Sequence, residues 1–114
     1  MPPQMIVSFG MKYGGPNKQA DNEIIDVRRV FNRNPYRNKK LRELRGTDEA
    51  VARDVEKTPG FAESYAYLRN TVAASNVAIF YLGCTGGHHR SVYLAERIGK
   101  ELGCKVQHRD INKR

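Results

Sequence analysis

Val77-Ala78-Ile79-Phe80-Tyr81-Leu82, followed at once by Gly83-Cys84-Thr85-Gly86-Gly87-His88-His89-Arg90-Ser91, is the stretch on which the fold turns. Its first six residues are a near-continuous apolar run of strand length, the pattern of a central strand covered on both faces. Gly83 is expected to end that strand. A helix is expected from about Arg90, with Val92, Ala95, Ile98 and Leu102 as its buried stripe and Gly103 as its stop. Strand, glycine-rich turn and amphipathic helix in that order mark an α/β domain. In open sheets of that class, ligands collect where the carboxyl end of a strand meets a helix N-terminus.

The residues of the turn say which ligand. Gly86 and Gly87 let backbone amides turn inward without side-chain obstruction, and amides at a helix N-terminus favour an anion. Thr85 and Ser91 add hydroxyl donors, His89 a ring nitrogen, and Arg90 the two-pronged grip that suits phosphate oxygens. No lysine follows the glycines, so the loop is not a Walker A motif and gives no support to an ATPase.

Working outward, Met5–Phe9 reads as a short buried strand closed by Gly10, and Glu23–Arg28 as a second strand. Tyr13–Asn17 is a loop by its glycines and proline. Lys39 to Leu44 has room for one or two helical turns before Gly46. Thr47 is the expected cap of a helix opening on Asp48 and Glu49. Thr58-Pro59 is the expected start of the next, whose stripe is Phe61, Tyr65, Leu68 and Val72. Cys104–His108 is the last strand. The order β-β-α-α-β-α-β, strands separated by helices, favours one small three-layer domain over residues 1–114 with a central parallel or mixed sheet.

Composition bounds the function. A chain of 114 residues has room for one core, and no apolar run approaches the ~20 residues of a membrane span. Without a secretion signal, Cys84 and Cys104 are expected as reduced thiols of a cytoplasmic protein, and no Cys/His cluster calls for a metal. The net charge is +8, and it is concentrated: between Arg28 and Arg45 eight basic residues face only Glu43, a net +7. Such a field favours polyanions, nucleic acid first. Arg28, Arg37, Lys39 and Lys40 are the candidate phosphate contacts in this stretch, with Lys105, Arg109, Lys113 and Arg114 extending the basic surface near the last strand. Tyr36, between Arg33 and Arg37, is placed to stack a base.

Two resemblances follow. Cys84-x-x-Gly87-x-x-Arg90-Ser91 is similar to the signature loop of cysteine-dependent phosphatases, which implies a Cys84 thiolate nucleophile with Arg90 on the phosphoryl oxygens. The histidine that usually precedes that cysteine is replaced by Gly83, and the general acid would have to be Asp26 or Asp110. The second resemblance spans nearly the whole chain. Ser8–Pro16, Asp26-Val27-Arg28, Asn34-Pro35, the run Gly83–Val92 and His108-Arg109-Asp110 occur in order, and together they resemble the C-terminal domain of the RNase adapter protein RapZ family. That resemblance implies a phosphofructokinase-like fold and a non-catalytic regulatory adapter that binds RNA and holds a sugar phosphate, glucosamine-6-phosphate. Carried over by position, Asp26 would meet the sugar, while Cys84, Thr85, Gly86, Gly87, His89 and Arg90 would surround the phosphate. Lys12 is a weaker candidate. The expected partners are RNA and a small phosphorylated metabolite, with no cofactor, no membrane, and self-association left open. The family's preceding nucleotide-binding domain is not expected here, so ATP-linked activity is not carried over. Met11, Tyr36 and His88 depart from the family's usual residues, and the basic segment after Arg28 is longer.

Overall fold

The computed structural model describes residues 1–113. Four strands, β1 (Met5–Gly10), β2 (Asn22–Asp26), β3 (Ile79–Cys84) and β4 (Lys105–His108), form one sheet in the order β2-β3-β1-β4. Every neighbouring pair is parallel, so the mixed alternative falls away. Four helices accompany them: α1 (Lys39–Arg42), α2 (Glu49–Glu56), α3 (Phe61–Ala73) and α4 (Arg90–Leu102). Single 3-10 turns occupy Met11–Tyr13 and Pro35–Arg37.

Side chains alternate across the sheet as the pleat requires. Ile6, Phe80 and Leu82 point to one face and join Val51 and Val55 of α2, Tyr65, Leu68 and Val72 of α3, and Leu94, Ala95 and Ile98 of α4 in a single buried core. Helix α4 lies directly on β1, β3 and β4, which explains why its first two turns are buried almost all round. On the opposite face Phe9 is fully buried, meets Tyr81 edge-on at 6.2 Å, and is covered by Gly15 and by the Arg109 guanidinium 5.3 Å from its ring. Loop cover, sheet and helices make a small layered α/β domain. Among the described residues no helix is long and apolar enough to cross a membrane, and both cysteines are free thiols.

Four boundaries differ from the sequence expectation. Gly83 does not end β3 but lies within it, paired with Phe9. A side chain there would strike the Phe9 ring at 2.5 Å and the Met11 sulfur at 2.9 Å, so the glycine makes room for a packed ring. Strand β2 stops at Asp26 because its carboxylate accepts the Arg28 amide at 3.0 Å and curls the chain. Thr58 does not open α3: its hydroxyl donates back to the Val55 carbonyl at 2.7 Å and closes α2, while α3 begins after Gly60. Likewise Asp48, not Thr47, occupies the cap position of α2.

The topology also creates the site. From β1 the chain travels to one edge of the sheet, where β2 lies, and from β3 it travels to the other, where β4 lies. The carboxyl ends of the adjacent strands β1 and β3 are therefore left with their connections diverging, which opens a crevice between them.

Candidate functional site

That crevice is a cavity of about 450 Å³, within the range of small-molecule sites. Its floor is the turn Cys84–Arg90, and Lys12, from the turn after β1, stands on one side. The turn is held against β1 by close backbone approach. Gly87 has φ +73°, and a side chain on it would meet the Gly10 nitrogen at 2.6 Å; a side chain on Gly10 would meet the Gly86 carbonyl carbon at 2.5 Å. Glycine at both positions is what lets the two backbones touch. None of the amides of Gly86, Gly87, His88 and His89 donates to an acceptor among the described residues. They are a row of unsatisfied donors at the N-terminus of α4, the arrangement that receives an anion.

Arg90 is the charge at the centre. Its side chain is 5% exposed, with one terminal nitrogen donating to the Phe31 carbonyl at 3.0 Å and the other 3.4 Å from the Thr85 hydroxyl. No carboxylate among the described residues lies within 4 Å of it, although buried guanidinium groups are rarely left without an anionic partner. Burial pulls its pKa below the ordinary arginine value, and Cys84 and Asp26 oppose that shift from a distance. The Cys84 sulfur sits beneath it, 3.1 Å from the Ser91 hydroxyl, which in turn is 3.4 Å from the Phe9 carbonyl.

The far wall comes from the basic segment. Gly46 donates its amide to the His88 carbonyl at 2.8 Å, and His89 Nε2 donates to the Arg42 carbonyl at 3.2 Å. These two bonds dock residues 42–46 onto the turn and bring Arg42, Glu43 and Arg45 to the cavity, along with Asn34 and Tyr36. His89 is thus turned to the wall that it anchors. Burial lowers the pKa of both His88 and His89, with Arg45 adding to the effect on each, so both rings are neutral at neutral pH. His88 Nε2 is buried without a partner.

Of the residues expected from sequence, Cys84, Thr85, Gly86, His89 and Arg90 line the cavity, and Gly87 shapes it from behind. Asp26 stands apart at the end of β2, clamped on Arg28 by contacts of 2.7 to 3.1 Å; that hydrogen bonding holds its pKa below the usual carboxylate value. His88 joins the lining as a member of the turn, while Lys12, Arg42 and Arg45 join it from segments distant in sequence; of these only Lys12 was a ligand candidate, and Arg42 and Arg45 were part of the basic segment alone.

The candidate RNA residues divide. Arg37, Lys39 and Lys40 are exposed and have no carboxylate within 4 Å among the described residues. Arg28 is paired with Asp26 at 2.7 Å. Arg109 and Lys113 both reach Asp110, at 2.8 and 2.7 Å. Lys105 is exposed but pairs with Met5, at the amino end of β1 and so the opposite end of the sheet from the cavity. His108 bridges Ser8 and Glu96, 2.7 Å from each. Arg114 lies outside the described residues.

The family model described as the RapZ C-terminal domain matches residues 4–112. A protein of Pseudothermotoga lettingae named "Nucleotide-binding protein" is 41% identical over 95% of this chain, and one of the same name from Pediococcus pentosaceus is 43% identical over 96%. Another, from Azotobacter vinelandii, is 41% identical over 94%. The chain spans 42%, 40% and 41% of the lengths of these three relatives, so the likeness is to part of each. With a match from residue 4 to residue 112 and the glycine turn at its centre, the chain belongs to the RapZ C-terminal domain family.

Proposed function

We propose that this domain is a non-catalytic adapter module that holds a phosphorylated sugar of the glucosamine-6-phosphate class at the glycine turn and binds RNA over the basic segment. The observation that carries the first half is Arg90, buried with no carboxylate within 4 Å, beside a row of amides with no acceptor, among the described residues. A phosphomonoester supplies the missing charge and enough acceptor oxygens for both. Lys12, Arg42 and Arg45 add long-range attraction at the walls. Asp26 is assigned to the sugar amine or hydroxyls, exchanging one cationic partner, Arg28, for another. The RNA half is supported by Arg37, Lys39 and Lys40, exposed and with no carboxylate within 4 Å among the described residues. Calorimetry with glucosamine-6-phosphate, fructose-6-phosphate and inorganic phosphate tests the pocket. The amino sugar is expected to bind best, and no heat with any of the three would sink the reading.

The Cys84–Ser91 contact favours one alternative, a phosphatase in which Ser91 supports a Cys84 thiolate. Its general acid is hard to supply. Asp110 is fully buried; burial alone would raise its pKa, yet Arg109, the Gly10 amide and Lys113 together hold it down to about 2, and Asp26 is depressed by Arg28. Both are ionised at neutral pH. Steady hydrolysis of an aryl phosphate that disappears in Cys84→Ser would establish the enzyme; none is expected.

A further inference from the structure

The cavity at the glycine turn has a neighbour. A second cavity of about 350 Å³ is lined by Asn32, Arg33, Arg37, Asn38 and Asp54, and Asn34 lines both. The Pro35–Arg37 turn stands between them, with Tyr36 lining the first and Arg37 the second. Asn34 fixes that turn by accepting the Tyr36 amide at 3.1 Å.

The two cavities suit different chemistry. The first offers amides and four cations, against the single acid Glu43 in its lining among the described residues, to a compact anion. The second offers amide side chains, the Arg37 guanidinium, which has no carboxylate within 4 Å among the described residues, and the Arg33–Asp54 pair at 2.8 Å, donors and acceptors together, which matches the edge of a base better than a phosphate. Between them Tyr36 is 56% exposed, with the Arg42 guanidinium 4.6 Å from its ring centroid and no other ring or cation over it among the described residues. A free sugar phosphate fills only the first cavity. A phosphate site, an aromatic ledge and a base-sized polar cavity in succession fit the end of a polynucleotide.

We propose that the domain recognises a terminal phosphomonoester of single-stranded RNA: the end phosphate on the Arg90 turn, the first base against Tyr36, and the next nucleotide in the Asn32–Asn38 cavity. A phosphate inside a chain carries a nucleoside on each side and one charge. A terminal phosphate carries about two charges and three free oxygens, and can enter far enough to reach a guanidinium that is 5% exposed. The inference rests on the phosphate-pocket reading above and adds a consequence to it. RNA end and sugar phosphate occupy the same place, so each excludes the other.

Fluorescence anisotropy at one fixed salt concentration tests this with three versions of a short single-stranded RNA: both ends hydroxyl, 5′-phosphorylated and 3′-phosphorylated. One phosphorylated form is expected to bind tighter than the hydroxyl form by about tenfold or more, the worth of one charged hydrogen bond. Which form it is fixes the polarity of the strand. Glucosamine-6-phosphate or inorganic phosphate should erase that advantage and leave the hydroxyl RNA unaffected. Arg37→Ala, an exposed change, should weaken the phosphorylated RNA while calorimetric binding of glucosamine-6-phosphate stays as it was. Equal affinity for all three RNAs, with glucosamine-6-phosphate still binding, overturns the inference and leaves the pocket reading intact. If neither the sugar phosphate nor an end phosphate binds, both fall.

Discussion

Residues 37–40 and residues 109–113 carry the same kinds of side chain in opposite circumstances. Arg109 and Lys113 converge on Asp110, a carboxylate with no exposed surface that also accepts the Gly10 amide at 2.7 Å. Both cations are held by that one carboxylate, which offsets part of their charge, and their work is structural: they tie the chain after β4 to the end of β1, directly behind Gly87. Arg37, Lys39 and Lys40 have no such anchor and face solvent. The comparison teaches that a count of basic residues overstates the surface open to a polyanion, because acids elsewhere in the chain decide which cations remain available. Arg90 is a third case, buried like Asp110 yet unpaired like Lys39, and that combination is what singles it out.

The strongest way to break the contrast is Asp110→Asn. It strands two cations and weakens the acceptor for a buried amide, so it should cost roughly 3 kcal/mol of stability, read by urea unfolding. The pH dependence has a definite sign. The folded pKa of about 2 lies below the ordinary carboxylate value, so the contribution is complete above about pH 4 and is lost as pH falls toward 2. Wild type should lose stability across that window more steeply than Asp110→Asn. Parallel curves would show that the cluster at residues 109–113 is not the strut described.

Arg90→Lys comes next. Loss of the two-pronged geometry should weaken glucosamine-6-phosphate by roughly 1.5 to 3 kcal/mol in calorimetry on folded protein. An unchanged dissociation constant removes Arg90 from the site. The free cations are then tested against the anchored ones by salt titration of RNA binding. Replacing Arg37, Lys39 and Lys40 together by Ala should flatten the log–log slope by roughly two units, at about 0.7 per phosphate contact on single strands. Lys113→Ala should leave it unchanged. Equal slopes for wild type and the triple variant would take RNA off this segment. The smallest effect belongs to Asp26→Asn, a partly exposed pair whose loss should change stability by less than about 1 kcal/mol. If Asp26 meets the sugar, that same variant loses selectivity for glucosamine-6-phosphate over inorganic phosphate. Retained selectivity would assign Asp26 to Arg28 alone.

What could be read from sequence and what could not separates along the distance between partners. Helix α4, its stripe and its stop at Gly103 were legible because every determinant lies within the helix or next to it. So was the turn from Cys84 to Arg90. Gly83 was misread because the Phe9 ring that needs its space lies some seventy residues earlier, and Thr58 because a hydroxyl can bond backward as readily as forward. The wall of the cavity was invisible for the same reason: the bonds from Gly46 to His88 and from His89 to Arg42 join segments that no periodicity links. Asp26 was placed inside a strand running on to Arg28; the strand stops at Asp26 instead, and its hold on Arg28 depends on a turn the strand pattern did not announce.

The strand order has a consequence for how the chain reaches this structure. Strand β1 lies inside the sheet, yet its partners are residues 79–84 on one side and 105–108 on the other. An apolar strand made early must therefore wait for residues 79–84 before its first edge is satisfied and for residues 105–108, nearly the end of the chain, before its second. Such contacts between remote segments slow folding, and the unpaired intermediate is the species most exposed to aggregation. During synthesis, a pause after β3 would leave β1 with one edge covered and one open until β4 emerges. Helix α4, amphipathic and packed on β1 as well as on β3, is the element able to shelter that half-built sheet in the interval.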